Sequence, residues 1–162
     1  MLDDKILNDL VADVAECLME KGVMLVTAES CTGGLIGAYC TEMAGSSAWF
    51  YGGIISYANE AKMSGLGVSA TTLEQEGAVS EATIREMCAG ALQFGGDVAI
   101  AVSGVAGPSG GTAEKPVGCV WIGWQLAGQD VKVERCQFSG ARSDIRQATV
   151  AHALTELLTL MK

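Results

Sequence analysis

The sequence predicts an α/β fold, a three-layer α/β/α sandwich built on a mixed sheet. Apolar strand-like runs alternate with helix-periodic segments early in the chain, and two strand-like runs follow one another late. Three of the apolar runs lead into polar or glycine-rich segments, as in open α/β sheets that bind ligands beyond the carboxyl ends of their strands. The 162 residues, 49% hydrophobic, can bury one sizeable core. Residues 1–162 read as a single domain with no linker and no internal repeat.

Ile6 to Lys21 has helical periodicity, with Ile6, Leu7, Leu10, Val11, Val14, Ala15 and Leu18 as its apolar stripe and Gly22 as its stop. A strand over Val23–Ala28 follows, then a turn, then a helix from about Gly33 to Met43. Gly53 to Tyr57 reads as a strand, and Lys62 falls in the first turn or so of the next helix. Thr71 to Glu74 fits a capping box, and Ser80 caps a helix reaching about Gln93. Asp97–Ser103 reads as a buried strand and Gly104–Thr112 as a glycine-rich loop. Val117–Leu126 and Val131–Phe138 form a strand pair, turning at Gly128-Gln129-Asp130. A helix from about Ser143 to Leu160 comes last.

The formal net charge of -9 argues against general nucleic-acid binding, which needs many cationic phosphate contacts. It leaves room for a small phosphorylated ligand held by backbone amides and one or two Arg or Lys. The six cysteines form no C-x-x-C pair, which disfavours a zinc or thioredoxin-type site and suits a reducing cytoplasm. Met1-Leu2-Asp3-Asp4 is acidic where a signal peptide is basic, and no apolar run is long enough to span a membrane. The 21 glycines lie in clusters, which marks turns and close backbone approaches rather than low complexity.

The turn Glu29-Ser30-Cys31-Thr32-Gly33-Gly34 puts two hydroxyls and a thiol at a helix start, where free amides attract negative charge. It reads two ways, as a nucleophile beside an oxyanion site or as an N-cap. A serine nucleophile needs a base. The one histidine, His152, lies mid-helix, which argues against a Ser–His–Asp triad. Lysine can serve if burial or a nearby cation lowers its pKa from about 10.4 towards ~7–8. Lys62, after an apolar strand, is the better-placed lysine, and Tyr57 could orient it; each also reads as an ordinary surface residue. Cys31 competes as nucleophile, because a helix N-terminus can activate a thiol. The Gly107-Pro108-Ser109-Gly110-Gly111 loop lacks the G-K-[ST] ending of a P-loop, yet can cradle one phosphate. Arg142 and Arg146, four apart, share a helix face and could neutralise that phosphate or simply face solvent.

Five segments together resemble the CinA carboxy-terminal domain family: Thr27–Gly34, Gly45–Phe50, Tyr57–Lys62, Gly77–Ser80, and Ser103–Pro108 continuing through Gly110-Gly111-Thr112 to Gly118. The resemblance runs from about Val23 to Ala151 and implies an α/β/α domain. The chain looks like the stand-alone form of that family, a nicotinamide-nucleotide amidase that hydrolyses the carboxamide of nicotinamide mononucleotide to the acid and ammonia. It implies Ser30 as nucleophile, Lys62 as base and Tyr57 as its helper. Thr32, Gly33 and Gly34 are then expected to supply oxyanion amides, and Ser103, Gly107, Gly110, Gly111, Arg142 and Arg146 to hold the substrate. No metal and no cofactor are expected. The expected partner is a small nucleotide, with neither nucleic acid nor membrane, and a homo-oligomer is compatible with the sequence. Two positions depart from the family pattern: Ala141 stands between Gly140 and Arg142 where the family commonly reads Gly-Asp-Arg, and Ser109 stands where Asp is common. The alternative reading is a non-catalytic nucleotide-binding module of the same fold.

Overall fold

A computed structural model describes residues 2–162. The elements are α1 (Asp4–Lys21), β1 (Leu25–Glu29), α2 (Leu35–Glu42), β2 (Phe50–Ile55), α3 (Asn59–Leu66), α4 (Ala70–Glu76), α5 (Glu81–Phe94), β3 (Val98–Gly104), β4 (Cys119–Leu126), β5 (Lys132–Gln137) and α6 (Arg142–Met161). The sheet order is β2-β1-β3-β4-β5. Strands β1, β2 and β3 run parallel, whereas β4 and β5 are antiparallel.

The alternation of side chains along each strand divides the interior in two. Val98, Ile100 and Val102 of β3 pack with α1, α2 and α6 through Leu7, Val14, Ile36, Ile145 and Leu154. Ala99 and Ala101, pointing the other way, pack with Val26, Ala28 and the α5 residues Ile84, Met87 and Ala91. Small alanines on that face let α5 lie close to the sheet. The three-layer mixed-sheet expectation therefore holds.

Local details differ. Ile6 is 56% exposed and drops out of the α1 stripe, because the buried arc follows Leu7, Val11, Val14 and Leu18. Strand β1 starts at Leu25 rather than Val23, whose N–H is spent on Leu18 O in the α1 cap. Strand β2 spans Phe50–Ile55, not Gly53–Tyr57; Gly52 and Gly53 lie inside it, paired with Val26 and Thr27 of β1. The capping box at Thr71 is not formed. Ser69 is the N-cap of α4, and its Oγ accepts the Thr72 N–H at 3.0 Å.

The parallel strands bring three carboxyl ends to one rim. Ser30 follows β1, Ser56 and Tyr57 follow β2, and the 105–112 loop follows β3. Backbone bonds lock the rim: Ser30 N–H donates to Val102 O at 3.0 Å and Ser56 N–H to Glu29 O at 2.8 Å. Helix α3, which carries Lys62, lies against α5 at Gly90, where an added Cβ would collide with the Leu66 carbonyl. Alanine favours a helix over glycine by about 1 kcal/mol. At Gly90 overpacking outweighs that gain. Gly90→Ala is expected to lose about 1–3 kcal/mol of stability, read by urea unfolding beside the wild type.

Candidate active site

Lys62 is 1% exposed although it belongs to a short surface helix. Its Nζ lies 3.1 Å from Ser30 Oγ, 2.9 Å from Ser56 O and 3.2 Å from Tyr57 O. Two carbonyls take two N–H groups, so the third position of the amine faces the Ser30 hydroxyl. An ammonium fills that position with a proton; a neutral amine fills it with the lone pair a base requires. No carboxylate pairs with Lys62 among the described residues. Burial without a counter-charge pushes its pKa below the ordinary lysine value, against a smaller opposing effect of Cys31.

Cys31, the competing nucleophile, is buried beside Ser30, and its thiol is not activated. Burial pushes that thiol up to about 11 and the Glu29 carboxylate adds to the rise, while its own backbone N–H, Arg146 and Lys62 offset only part of it. The thiol stays protonated near neutrality, whereas the Ser30 hydroxyl is in contact with the Lys62 amine.

The structure does not bring Thr32, Gly33 and Gly34 into the cavity. Gly33 N–H donates to Ser30 O at 2.9 Å, and the Thr32 hydroxyl donates to Glu29 Oε1 at 2.7 Å. The Ile36 and Gly37 amides, in the first turn of α2, donate to the Glu29 carboxylate at 2.8 and 3.0 Å. None of Thr32, Gly33 and Gly34 lines the cavity that holds Ser30 and Lys62. Helix α2 turns its positive end onto an internal anion rather than a ligand. Cys31, next to Ser30 in the chain, does line that cavity.

That cavity, about 370 Å³, is lined by Ser30, Cys31, Tyr57, Asn59, Lys62, Ser103, Gly107, Ser109, Gly110 and Arg142, among others. Its size suits a small ligand. Arg142 donates to Gly107 O at 2.8 Å and to the Tyr57 hydroxyl at 3.0 Å, spanning one edge of the cavity. The Tyr57 phenol therefore does not orient the amine; its backbone carbonyl does. Arg146 is displaced from the expected phosphate role, since it donates to Thr32 O at 2.8 Å behind the nucleophile turn. Gly111 also lies outside the lining, packed against Val117. Two residues were missed at the sequence level. Asn59, at the start of α3, lies inside the Tyr57–Lys62 segment, and a polar residue opening a helix beyond a strand was its only signal. Glu29 is the other; a carboxylate ending a buried strand just before a helix start was the available clue.

His152 stands away from the cavity, its Nε2 2.8 Å from Glu134 Oε2. Glu134, Cys136 and His152 form a cluster of metal-ligand types that β5 and α6 bring together across distant sequence. Its carboxylate is already paired, because Lys132 bridges Glu134 and Glu156 at 3.0 Å each. Burial raises the Cys136 thiol to about 11, and neighbouring Glu134 adds to it.

A mixed-sheet α/β domain with a buried serine–lysine pair on the rim of its parallel strands sets the class. Comparison with known proteins makes it specific: the chain belongs to the CinA C-terminal domain family, whose profile matches residues 7–161. It is 50% identical to the nicotinamide-nucleotide amidohydrolase PncC of Enterobacter agglomerans, over 99% of each chain. It is 45% identical to the protein of that name from Escherichia coli K12, over 96% of this chain and 95% of the other. The crystal structure of the competence/damage inducible protein CihA from Agrobacterium tumefaciens superposes with a TM-score of 0.95 at 41% identity, covering 100% of this chain and 98% of that one.

At the departure from the family pattern, Ala141 is the N-cap of α6, with extended φ and ψ and no side-chain bond. Its own N–H donates to Asp144 Oδ2 at 2.9 Å. A serine there fits the backbone and completes a reciprocal cap. Ala141→Ser is expected to raise stability by about 1 kcal/mol, measured as a shift of the denaturant midpoint.

Proposed function

We propose that this chain is a nicotinamide-nucleotide amidase, hydrolysing nicotinamide mononucleotide to the acid and ammonia in pyridine nucleotide recycling. The amidohydrolase names of near full-length relatives support the substrate. The observation that carries the chemistry is the buried Lys62 amine 3.1 Å from Ser30 Oγ. We assign residues 1–162 to one catalytic domain. We also assign it a cytoplasmic setting, which its six free thiols suit; no helix among the described residues is long and apolar enough to cross a membrane.

In this reading neutral Lys62 removes the Ser30 proton as Oγ attacks the carboxamide carbon. The Cys31 amide donates to the developing oxyanion; one such donor is worth about 2.7–4 kcal/mol. Lys62 returns the proton to the leaving nitrogen, ammonia departs, and an acyl ester remains on Ser30. Water, deprotonated by the same amine, then attacks that ester and frees the acid and Ser30. The ribose phosphate rests along Gly107 to Gly110 and Arg142, with Ser103 and Asn59 also facing the substrate. The binding-module alternative gives no account of a desolvated lysine held on a serine.

Ser30→Ala and Lys62→Ala are expected to abolish ammonia release, while Cys31→Ala retains most of it. Loss confined to Cys31→Ala would move the nucleophile by one residue. The pH dependence follows from the depressed Lys62 pKa. Activity is expected to fall as pH drops through the folded value, where the amine takes up a proton. Between the folded value and the unfolded one, about 10.4, the unfolded chain binds the extra proton. The contribution of Lys62 to native stability therefore rises with pH across that window. Paired kcat and unfolding measurements across pH check both signs, with Lys62→Ala as the reference for the stability term.

A further inference from the structure

We infer that Glu29 is a positioning residue for the nucleophile: its buried carboxylate occupies the start of α2 and fixes the turn that carries Ser30. The inference builds on the amidase reading above. Glu29 is 2% exposed. Its Oε1 accepts from the Thr32 hydroxyl at 2.7 Å and the Ile36 N–H at 2.8 Å. Its Oε2 accepts from the Thr27 hydroxyl at 3.1 Å and the Gly37 N–H at 3.0 Å. Both oxygens are filled, and the charge is met by the helix amides rather than by a cation. The donors lie on both sides of Ser30, in β1 and in the turn and helix beyond it.

The main chain of the same residue reaches the base. Glu29 O accepts the Ser56 N–H at 2.8 Å, and Ser56 O in turn accepts from Lys62 Nζ at 2.9 Å. One residue thus sets the serine through its side chain and the lysine through its carbonyl. The neighbouring strand leaves space for this. Gly53 sits opposite Thr27, and a Cβ there would collide with the Thr27 hydroxyl that leans on Glu29. Glutamine cannot reproduce the pattern. Either amide orientation places an NH₂ against the N–H of Ile36 or Gly37, so one buried donor loses its acceptor.

The test compares wild type, Glu29→Gln, Thr32→Val and a destabilised core control, Leu7→Ala. Two rates are measured: labelling of Ser30 by a fluorophosphonate, located by mass spectrometry, and ammonia release from nicotinamide mononucleotide. Glu29→Gln is expected to slow labelling and kcat by about 10- to 100-fold, the loss that accompanies a small displacement of reacting groups. KM should stay within about threefold, since substrate contacts are untouched. Thr32→Val, which deletes one of the four donors, should slow labelling in the same direction by less. Leu7→Ala, folded but less stable, should label at the wild-type rate. Glu29→Gln labelling at the wild-type rate, with only a lower thermal midpoint, would overturn the inference. Should that variant not fold, Thr32→Val decides alone, and unchanged labelling overturns it equally. A wild type that labels on Ser30 yet releases no ammonia refutes the amidase reading, while the ratio of labelling rates still tests Glu29.

Discussion

A lysine amine buried without a counter-charge, in contact with a serine hydroxyl, is the constraint on which the rest of this structure depends. Desolvation disfavours the ammonium and so favours the neutral amine, but it also opposes folding. The fold compensates with two carbonyls, of Ser56 and Tyr57, that satisfy the amine in either protonation state. A carboxylate in their place would hold the proton on the amine and remove the base. Carbonyls keep the amine in place without fixing its charge. This explains why a chain with 19 acidic residues presents none of them to Lys62 among its described ion pairs.

The arrangement needs three strands that end together. Parallel pairing of β1 with β2 and β3 brings Ser30, the Ser56–Tyr57 carbonyls and the 105–112 loop to one rim. The antiparallel β4 then packs beside β3, where Val105 N–H donates to Cys119 O at 2.9 Å and Gly118 N–H to Val105 O at 2.7 Å. That strand fixes the root of the loop, and Arg142 ties Gly107 to Tyr57 across the opening. The cavity walls are thereby joined from both sides of the switch between parallel and antiparallel pairing.

The fold class and the positions of Ser30 and Lys62 were legible in the sequence because they depend on local pattern. Apolar runs, helical stripes and the polar segments after them are written residue by residue, and the family resemblance joins the serine to the lysine. What was not legible depends on pairing between segments far apart. The start of β2 at Phe50 follows from register against β1, which accepts Gly52 and Gly53 inside a strand. The departure of Arg146 from the cavity follows from the Thr32 carbonyl, 114 residues away along the chain. The Glu134–Cys136–His152 cluster likewise exists only because α6 crosses β5. Sequence alone leaves the state of the Cys31 thiol open for a different reason. A helix start lowers a thiol pKa only if its amides face the thiol, and here they face Glu29.

That last point separates two anion-binding tasks that a single motif suggests. A glycine-rich turn opening a helix is ordinarily read as a site for an external phosphate or oxyanion. In this chain the α2 amides are spent inward, and buried, fully bonded Glu29 leaves no room for a second anion there. Charge on a substrate must be met elsewhere on the rim. The cation that lines the cavity besides Lys62 is Arg142, the first residue of α6. Lys62 cannot serve a phosphate without keeping its proton, which would end its use as a base. In the proposed amidase reading, the two demands are compatible only if the phosphate lies towards Arg142 and the 107–110 loop and the carboxamide towards Ser30. In that reading, the direction of the nucleotide across the cavity follows from the charge state required of Lys62.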